Sequence, residues 1–131
     1  RVKMPRKISL NSPQAVAAYL KEKIGKETKE HFVILSLDSR NNLISINDVS
    51  IGTLNASLVH PREVFEPAVR YLAAQVVIAH NHPSGNTEPS KEDIEITQKL
   101  AEAGKILGIE VVDHIIVVKD RFLSFKEQGL I

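Results

Sequence analysis

Val76-Val77-Ile78-Ala79-His80-Asn81-His82-Pro83-Ser84-Gly85-Asn86-Thr87-Glu88-Pro89-Ser90-Lys91-Glu92-Asp93 reads as a buried strand, a loop and the start of a helix. The four leading residues are a short, β-branched apolar run. Side chains two apart on a strand point the same way, so His80 and His82, where the run ends, converge. Two imidazoles can hold one ion, and an open zinc site takes three protein groups plus a water. Asp93, in the first turn of the following helix, is placed to be the third. Taken singly, each residue has a plainer reading. A lone histidine is more often a hydrogen-bonded structural residue, and Ser90-Lys91-Glu92-Asp93 is also a capping-box pattern. It is the pair of histidines leaving an apolar strand that tips the reading toward metal. Pro83, Ser84, Gly85 and Pro89 shape the loop, with Gly85 available for a positive φ.

Outward from this stretch, helical and strand patterns alternate. Ser12-Pro13 has the form of an N-cap and a proline at the first helical position. It precedes a helix over 14–24 with Val16, Ala17, Leu20 and Ile24 on one side, closed by Gly25. His31 to Asp38 reads as a strand, Ser39 to Asn42 as a turn and Leu43 to Ile46 as the returning strand of a hairpin. Residues 51–59 look strand-like or irregular. Pro61 starts a helix expected to reach Ala73 or Ala74, with Val64, Phe65, Ala68 and Leu72 buried. Ser90 begins another, with Ile94, Thr97, Leu100, Ala101 and Leu107 at helical spacing and Gly108 at its end. Val111 to Val118 is the most apolar strand, and Phe122 to Phe125 follows a turn, with a helical turn in the tail. The pattern predicts an α/β fold, a mixed β-sheet covered by helices on both faces.

At 131 residues, 43% apolar and 25% charged, the chain suits one globular domain spanning 1–131. It opens on Arg1, which points to a fragment of a longer protein. The absence of cysteine excludes disulfide frameworks and thiolate metal sites and is compatible with a reducing cytoplasm. No apolar run reaches the roughly 20 residues of a membrane span, so the chain reads as soluble, with no membrane partner. Net charge is +1 and the charges alternate in sign, so nucleic-acid binding is not demanded. Arg1, Lys3, Arg6 and Lys7 form the one biased patch, a solvated lead-in or a contact for an anionic partner. No repeat or low-complexity segment interrupts the pattern.

Two imidazoles and a carboxylate suit zinc first, with iron, manganese or nickel open by ligand type. Zinc lowers the pKa of its water to roughly 7, which makes hydrolysis the natural use. A carboxylate would then move the proton and a hydroxyl or backbone donor would hold the oxyanion.

The spacing His80-x-His82-Pro83, seven residues, Ser90-x-x-Asp93 resembles the JAMM motif of JAB/MPN-type metalloproteases. With His80 to Gly85, Pro89-Ser90, His60-Pro61-Arg62-Glu63, Gly52-Thr53-Leu54 and Asp113-His114-Ile115-Ile116, nearly the whole chain is similar to the RadC family, whose members carry the label of DNA repair proteins. The resemblance implies a zinc ion (Zn2+) on His80, His82 and Asp93, with Ser90 as an oxyanion-side donor. It also implies an upstream glutamate acting on the water. Glu30 matches, Glu27 is the alternative if the register slips, and without the resemblance Glu30 reads as a solvated strand-edge residue. The implied fold is a mixed sheet flanked by helices, related in architecture to the cytidine deaminases. Deaminase chemistry itself does not fit, since those enzymes use H-x-E and P-C-x-x-C. An HNH nuclease is disfavoured because its residues are dispersed through a ββα unit. A facial-triad iron oxygenase is disfavoured by the interleaved helices.

The expected function is zinc-dependent amide hydrolysis on a peptide or protein substrate, a peptide or isopeptide bond. The alternative is a non-catalytic metal-binding module tied to DNA repair or recombination. In the full-length family pattern an N-terminal helix-hairpin-helix region precedes this domain, and any nucleic-acid role it supplies lies outside this chain. His114, in the last long strand, is expected to be structural, with a contact to the site as the alternative. His31 alternates to the face away from the site. His60 and Arg62 open a helix, where Arg62 either binds an anionic substrate group or is solvated.

Overall fold

The computed structural model describes residues 7–131, so Arg1, Lys3 and Arg6 of the basic patch lie outside the described residues. The elements run α1 (Pro13–Lys23), β1 (His31–Leu37), β2 (Leu43–Ile51), a 3-10 turn (Ala56–Leu58), α2 (Pro61–Arg70), β3 (Gln75–Asn81), α3 (Lys91–Leu107), β4 (Glu110–Val117) and β5 (Phe122–Ser124). The five strands form one mixed sheet in the order β2-β1-β3-β4-β5. Only β3 and β4 are parallel, joined through α3, and the remaining neighbours are antiparallel.

Period-two alternation divides the apolar residues of β1 and β3 between two cores. Phe32, Ile34, Val76 and Ile78 face α2 and α3, burying Val64, Phe65, Ala68, Ile96 and Leu100 with them. Val33, Leu35, Val77, Ala79, Ile115 and Val117 face α1, against Val16, Ala17, Leu20 and Ile24. β1 and β3 are therefore covered on both faces, which is why they read as continuous apolar runs.

Ser12 caps α1 by accepting the N–H of Ala15 at 3.1 Å, and Pro13 follows it. Ile24, not Gly25, ends that helix. β2 runs to Ile51, five residues beyond the expected Ile46, because its register with β1 continues to the His31–Ile51 pair. α2 stops at Arg70 rather than near Ala73. Leu72 turns to φ 52° and the Ala73 N–H bonds the Ala68 carbonyl at 2.8 Å, a Schellman-type ending that leaves Leu72 87% exposed. Along α3 the buried stripe is Asp93, Ile96, Thr97, Leu100 and Gly104. Ile94 is only half-buried and Leu107 is exposed, since spacings of three and four from Asp93 define the inward face. The tail closes a turn with Gln128 N–H on the Ser124 carbonyl at 3.1 Å.

Gly104 is where α3 meets β4. A Cβ there would stand 2.4 Å from the Ile109 carbonyl oxygen and 3.3 Å from Phe65. Backbone cannot yield as a side-chain tip can. Gly104→Ala gains about 1 kcal/mol of helix propensity, but overpacking of about 1–3 kcal/mol opposes it. A net loss of stability, read as a lower urea midpoint at unchanged slope, is the expected result.

Candidate metal centre

β3 ends on His80 and Asn81, and His82 follows with its N–H on the Val117 carbonyl of β4 at 3.2 Å. α3 lies over this corner and lowers Asp93 onto it. His80 Nε2 is 3.1 Å from Asp93 Oδ1, His82 Nε2 is 3.2 Å from Asp93 Oδ2, and the two Nε2 atoms are 2.7 Å apart. Donors on a tetrahedral ion with bonds of about 2.0 Å stand about 3.3 Å from each other. Each nitrogen meets that spacing to a different oxygen of the carboxylate and the nitrogen–nitrogen edge is tighter, and with one donor from each residue this group could hold one metal ion. His80 and Asp93 are sealed from solvent, whereas the His82 side chain is 11% exposed, so the group opens on the His82 side.

Hydrogen bonding fixes the His82 donor atom. Its Nδ1 lies 2.7 Å from the Asn86 carbonyl, which can only accept, so Nδ1 carries the hydrogen and Nε2 offers a lone pair. Gly85, at φ 85°, and the bond from the Arg121 guanidinium to its carbonyl at 2.9 Å shape the loop that presents Asn86.

Burial would raise the Asp93 pKa, but the close His80 and His82 rings, the charge that His80 can carry and the Ser90 N–H hold it far below the usual carboxylate range. Burial would lower His82. Its hydrogen bonds to Asp93 and Asn86, with the charges of Asp93 and Glu30, raise it above the ordinary imidazole value. A proton and a metal compete for the same Nε2. Metal affinity is therefore expected to be flat above that raised pKa and to fall about tenfold per pH unit below it. Zinc titrations across a pH series check this, and a break well below the free-imidazole value would contradict it.

Ser90 is the N-cap of α3. Its Oγ accepts the Asp93 N–H at 3.1 Å while Asp93 Oδ2 accepts the Ser90 N–H at 2.8 Å. One carboxylate thus serves both the cap and the histidine pair. The Ser90 side chain lies at the surface, and its hydroxyl hydrogen is not used by the cap. Glu30 is half-buried just before β1. Its Oε2 accepts the Leu54 N–H at 3.0 Å, and its charge is among those that act on His82.

The segment bearing Glu30 is pinned by Asn81, a buried residue that sequence reading passed over. Asn81 Oδ1 accepts the His31 N–H at 2.6 Å, and its amide donates to the carbonyls of Lys29 at 2.9 Å and Glu27 at 3.3 Å. An asparagine continuing an apolar strand between two histidines was the available signal.

Other residues separate from the centre. His31 turns to Asp48 at 3.1 Å and Glu27 at 3.8 Å. His60 is the N-cap residue of α2 without a side-chain cap bond, and Arg62 borders a groove with Phe65, Val69 and Leu107. His114 is fully buried and reaches the centre, its Nε2 2.9 Å from His80 Nδ1. A bulge in β4 puts it there: Val76 pairs with Val111 but Val77 with Asp113, so one extra residue flips the strand and turns His114 toward α3. Asp113 points away and ties down the C-terminal segment through Ser124 Oγ at 2.5 Å and the Lys126 N–H at 2.9 Å. Burial pushes its carboxyl pKa up.

An open cleft of about 610 Å³ borders His82, with Lys26, Glu27, Thr28 and Lys119 among its walls. No helix among the described residues is long and apolar enough to cross a membrane.

Residues 10–130 match the family model described as RadC-like JAB domain. The chain is 52% identical over 122 residues to a UPF0758 protein of Rubrobacter xylanophilus, covering 93% of this chain and 53% of that one. A UPF0758 protein of Desulfitobacterium hafniense is 45% identical over 122 residues, covering 93% and 54%. One of Bacillus mycoides is 47% identical over 129 residues, covering 98% and 57%. The chain spans about half the length of the curated relatives it matches.

Proposed function

The chain belongs to the RadC-like JAB domain family, and on that premise we propose that it is a zinc-dependent metallohydrolase of the JAMM type, cleaving a peptide or isopeptide bond. The observation that carries the reading is the convergence of two imidazole Nε2 atoms and one carboxylate beside an open cleft. Zinc, when bound, supplies Lewis acidity, making a water available as nucleophile near neutral pH and polarising the scissile carbonyl.

The chain's own groups do the rest. His80, His82 and Asp93 are the ligands. Glu30 takes the proton of the attacking water and returns it to the departing amine. Its bond from Leu54 uses one carboxylate oxygen and leaves the other for the proton. Ser90 donates its free hydroxyl hydrogen to the developing oxyanion while its oxygen keeps the helix cap. The cleft beside His82 takes the substrate, with Lys26 and Lys119 giving it a positive rim.

The test begins with metal analysis and zinc titration of the purified protein beside His82→Ala. About one equivalent of zinc, lost in the variant, followed by zinc-dependent release from peptide or isopeptide substrates, is the expected result. A protein that takes no zinc would instead fit a binding module associated with DNA repair or recombination. A reducing cytoplasm is the setting we infer for either reading, from the cysteine-free composition.

A further inference from the structure

We propose that Thr97 and His114 are positioning residues that decide which nitrogen of His80 carries the hydrogen, and so keep His80 Nε2 bare for a cation. The inference rests on the metal reading above and adds to it two residues outside the donor group.

One chain of contacts sets where the hydrogens lie. Thr97 Oγ1 lies 2.7 Å from the Asp93 carbonyl oxygen and 2.6 Å from His114 Nδ1. A carbonyl can only accept, so the threonine hydrogen points there. Thr97 Oγ1 must then accept from His114, which places that ring's hydrogen on Nδ1. His114 Nε2 is left as an acceptor, 2.9 Å from His80 Nδ1, so His80 carries its hydrogen on Nδ1. With the threonine hydrogen placed on the Asp93 carbonyl, each later step follows from the one before, and the chain ends with a lone pair on His80 Nε2. The opposite order would put a hydrogen on His80 Nε2, which would bond the His82 Nε2 lone pair at 2.7 Å and so occupy both nitrogens that an ion needs.

The surroundings hold His114 in this role. It is fully buried, stacked on Phe125 at 4.3 Å and 17° and edge-on to Phe32 at 6.1 Å. Thr97 also bonds the residue that carries the carboxylate ligand, four positions back on α3, so one hydroxyl ties the second strand histidine to the helix that bears Asp93.

The test combines two readouts on the intact chain. Two-bond proton–nitrogen spectra of zinc-free wild type in mildly alkaline buffer are expected to place the ring hydrogens of His80 and His114 on Nδ1. Thr97→Val keeps the shape and removes the hydroxyl, and zinc affinity is expected to fall about 10- to 100-fold. Thr97→Ser is expected to restore it, with the His80 hydrogen back on Nδ1. A wild-type spectrum with the His80 hydrogen on Nε2 overturns the proposal, as does wild-type zinc affinity in a folded Thr97→Val. Should Thr97→Val not fold, the wild-type spectrum decides alone. Zinc-free spectra do not depend on turnover, so a protein with this proton order and no hydrolysis would sink only the hydrolase reading.

Discussion

Glu30→Gln is expected to bind zinc as tightly as wild type and to lose turnover by about 100- to 10,000-fold, the usual worth of a positioned proton-transfer group. The substitution is close to isosteric, and the amide oxygen can still accept the Leu54 N–H that Glu30 Oε2 accepts at 3.0 Å. What disappears is basicity. The backbone stays in place because Asn81, rather than Glu30 itself, pins residues 27–31. Hydrolysis rates on a substrate that wild type cleaves, beside a zinc titration of each protein, give the answer. Equal loss of metal and turnover would make Glu30 a ligand. Retained turnover would remove it from the chemistry, and Glu27, which lines the cleft beside His82, would be the next carboxylate to change.

How much of this was legible in sequence follows from the range of the forces involved. β1 and β3, buried on both faces, announce themselves as apolar runs, and local capping chemistry marks α1 and α3 at Ser12 and Ser90. The convergence of His80, His82 and Asp93 was readable because a strand period and a helix start lie within fourteen residues of one another. The contact of His114 with the site stood only as the alternative to a structural role, because its approach to His80 depends on parallel pairing across 34 positions and on a bulge that exchanges its face with Asp113. Thr97 was read as part of an apolar stripe, and only the placement of α3 over β4 turns its hydroxyl into a link between a histidine and a backbone carbonyl. Leu72 misled for a local reason, since a left-handed leucine is not what helical spacing anticipates.

Asp93→Asn separates the two roles of the α3 N-terminus and should abolish zinc binding while leaving the metal-free fold at least as stable. The asparagine oxygen can still accept the Ser90 N–H, so the reciprocal cap survives. The charge is gone, and with it a ligand. The affinity lost should exceed the roughly 10- to 100-fold that removing an outer hydrogen-bond partner costs. In the metal-free protein, two imidazole lone pairs and a carboxylate crowd within hydrogen-bond distance. Protonating His82 relieves this, and because its folded pKa is raised, that stabilisation is full below the unfolded value and lost as pH rises through the folded one. Above that raised pKa the wild-type cluster has no proton to offset its repulsion, and there the asparagine amide, able to donate to an imidazole nitrogen, should match or exceed it in thermal stability. Zinc should then raise the wild-type melting temperature, by the equivalent of about 2.7 kcal/mol at a hundred times its Kd, and leave Asp93→Asn unmoved. Ser90→Ala is the complementary case, losing about 1 kcal/mol of cap while keeping its ligands and its zinc. If the metal-free Asp93→Asn protein instead melted lower by the several kcal/mol typical of a broken buried ion pair, Asp93 would be holding the fold through a permanently protonated histidine, and the cluster would be a structural His–Asp pair without need of an ion.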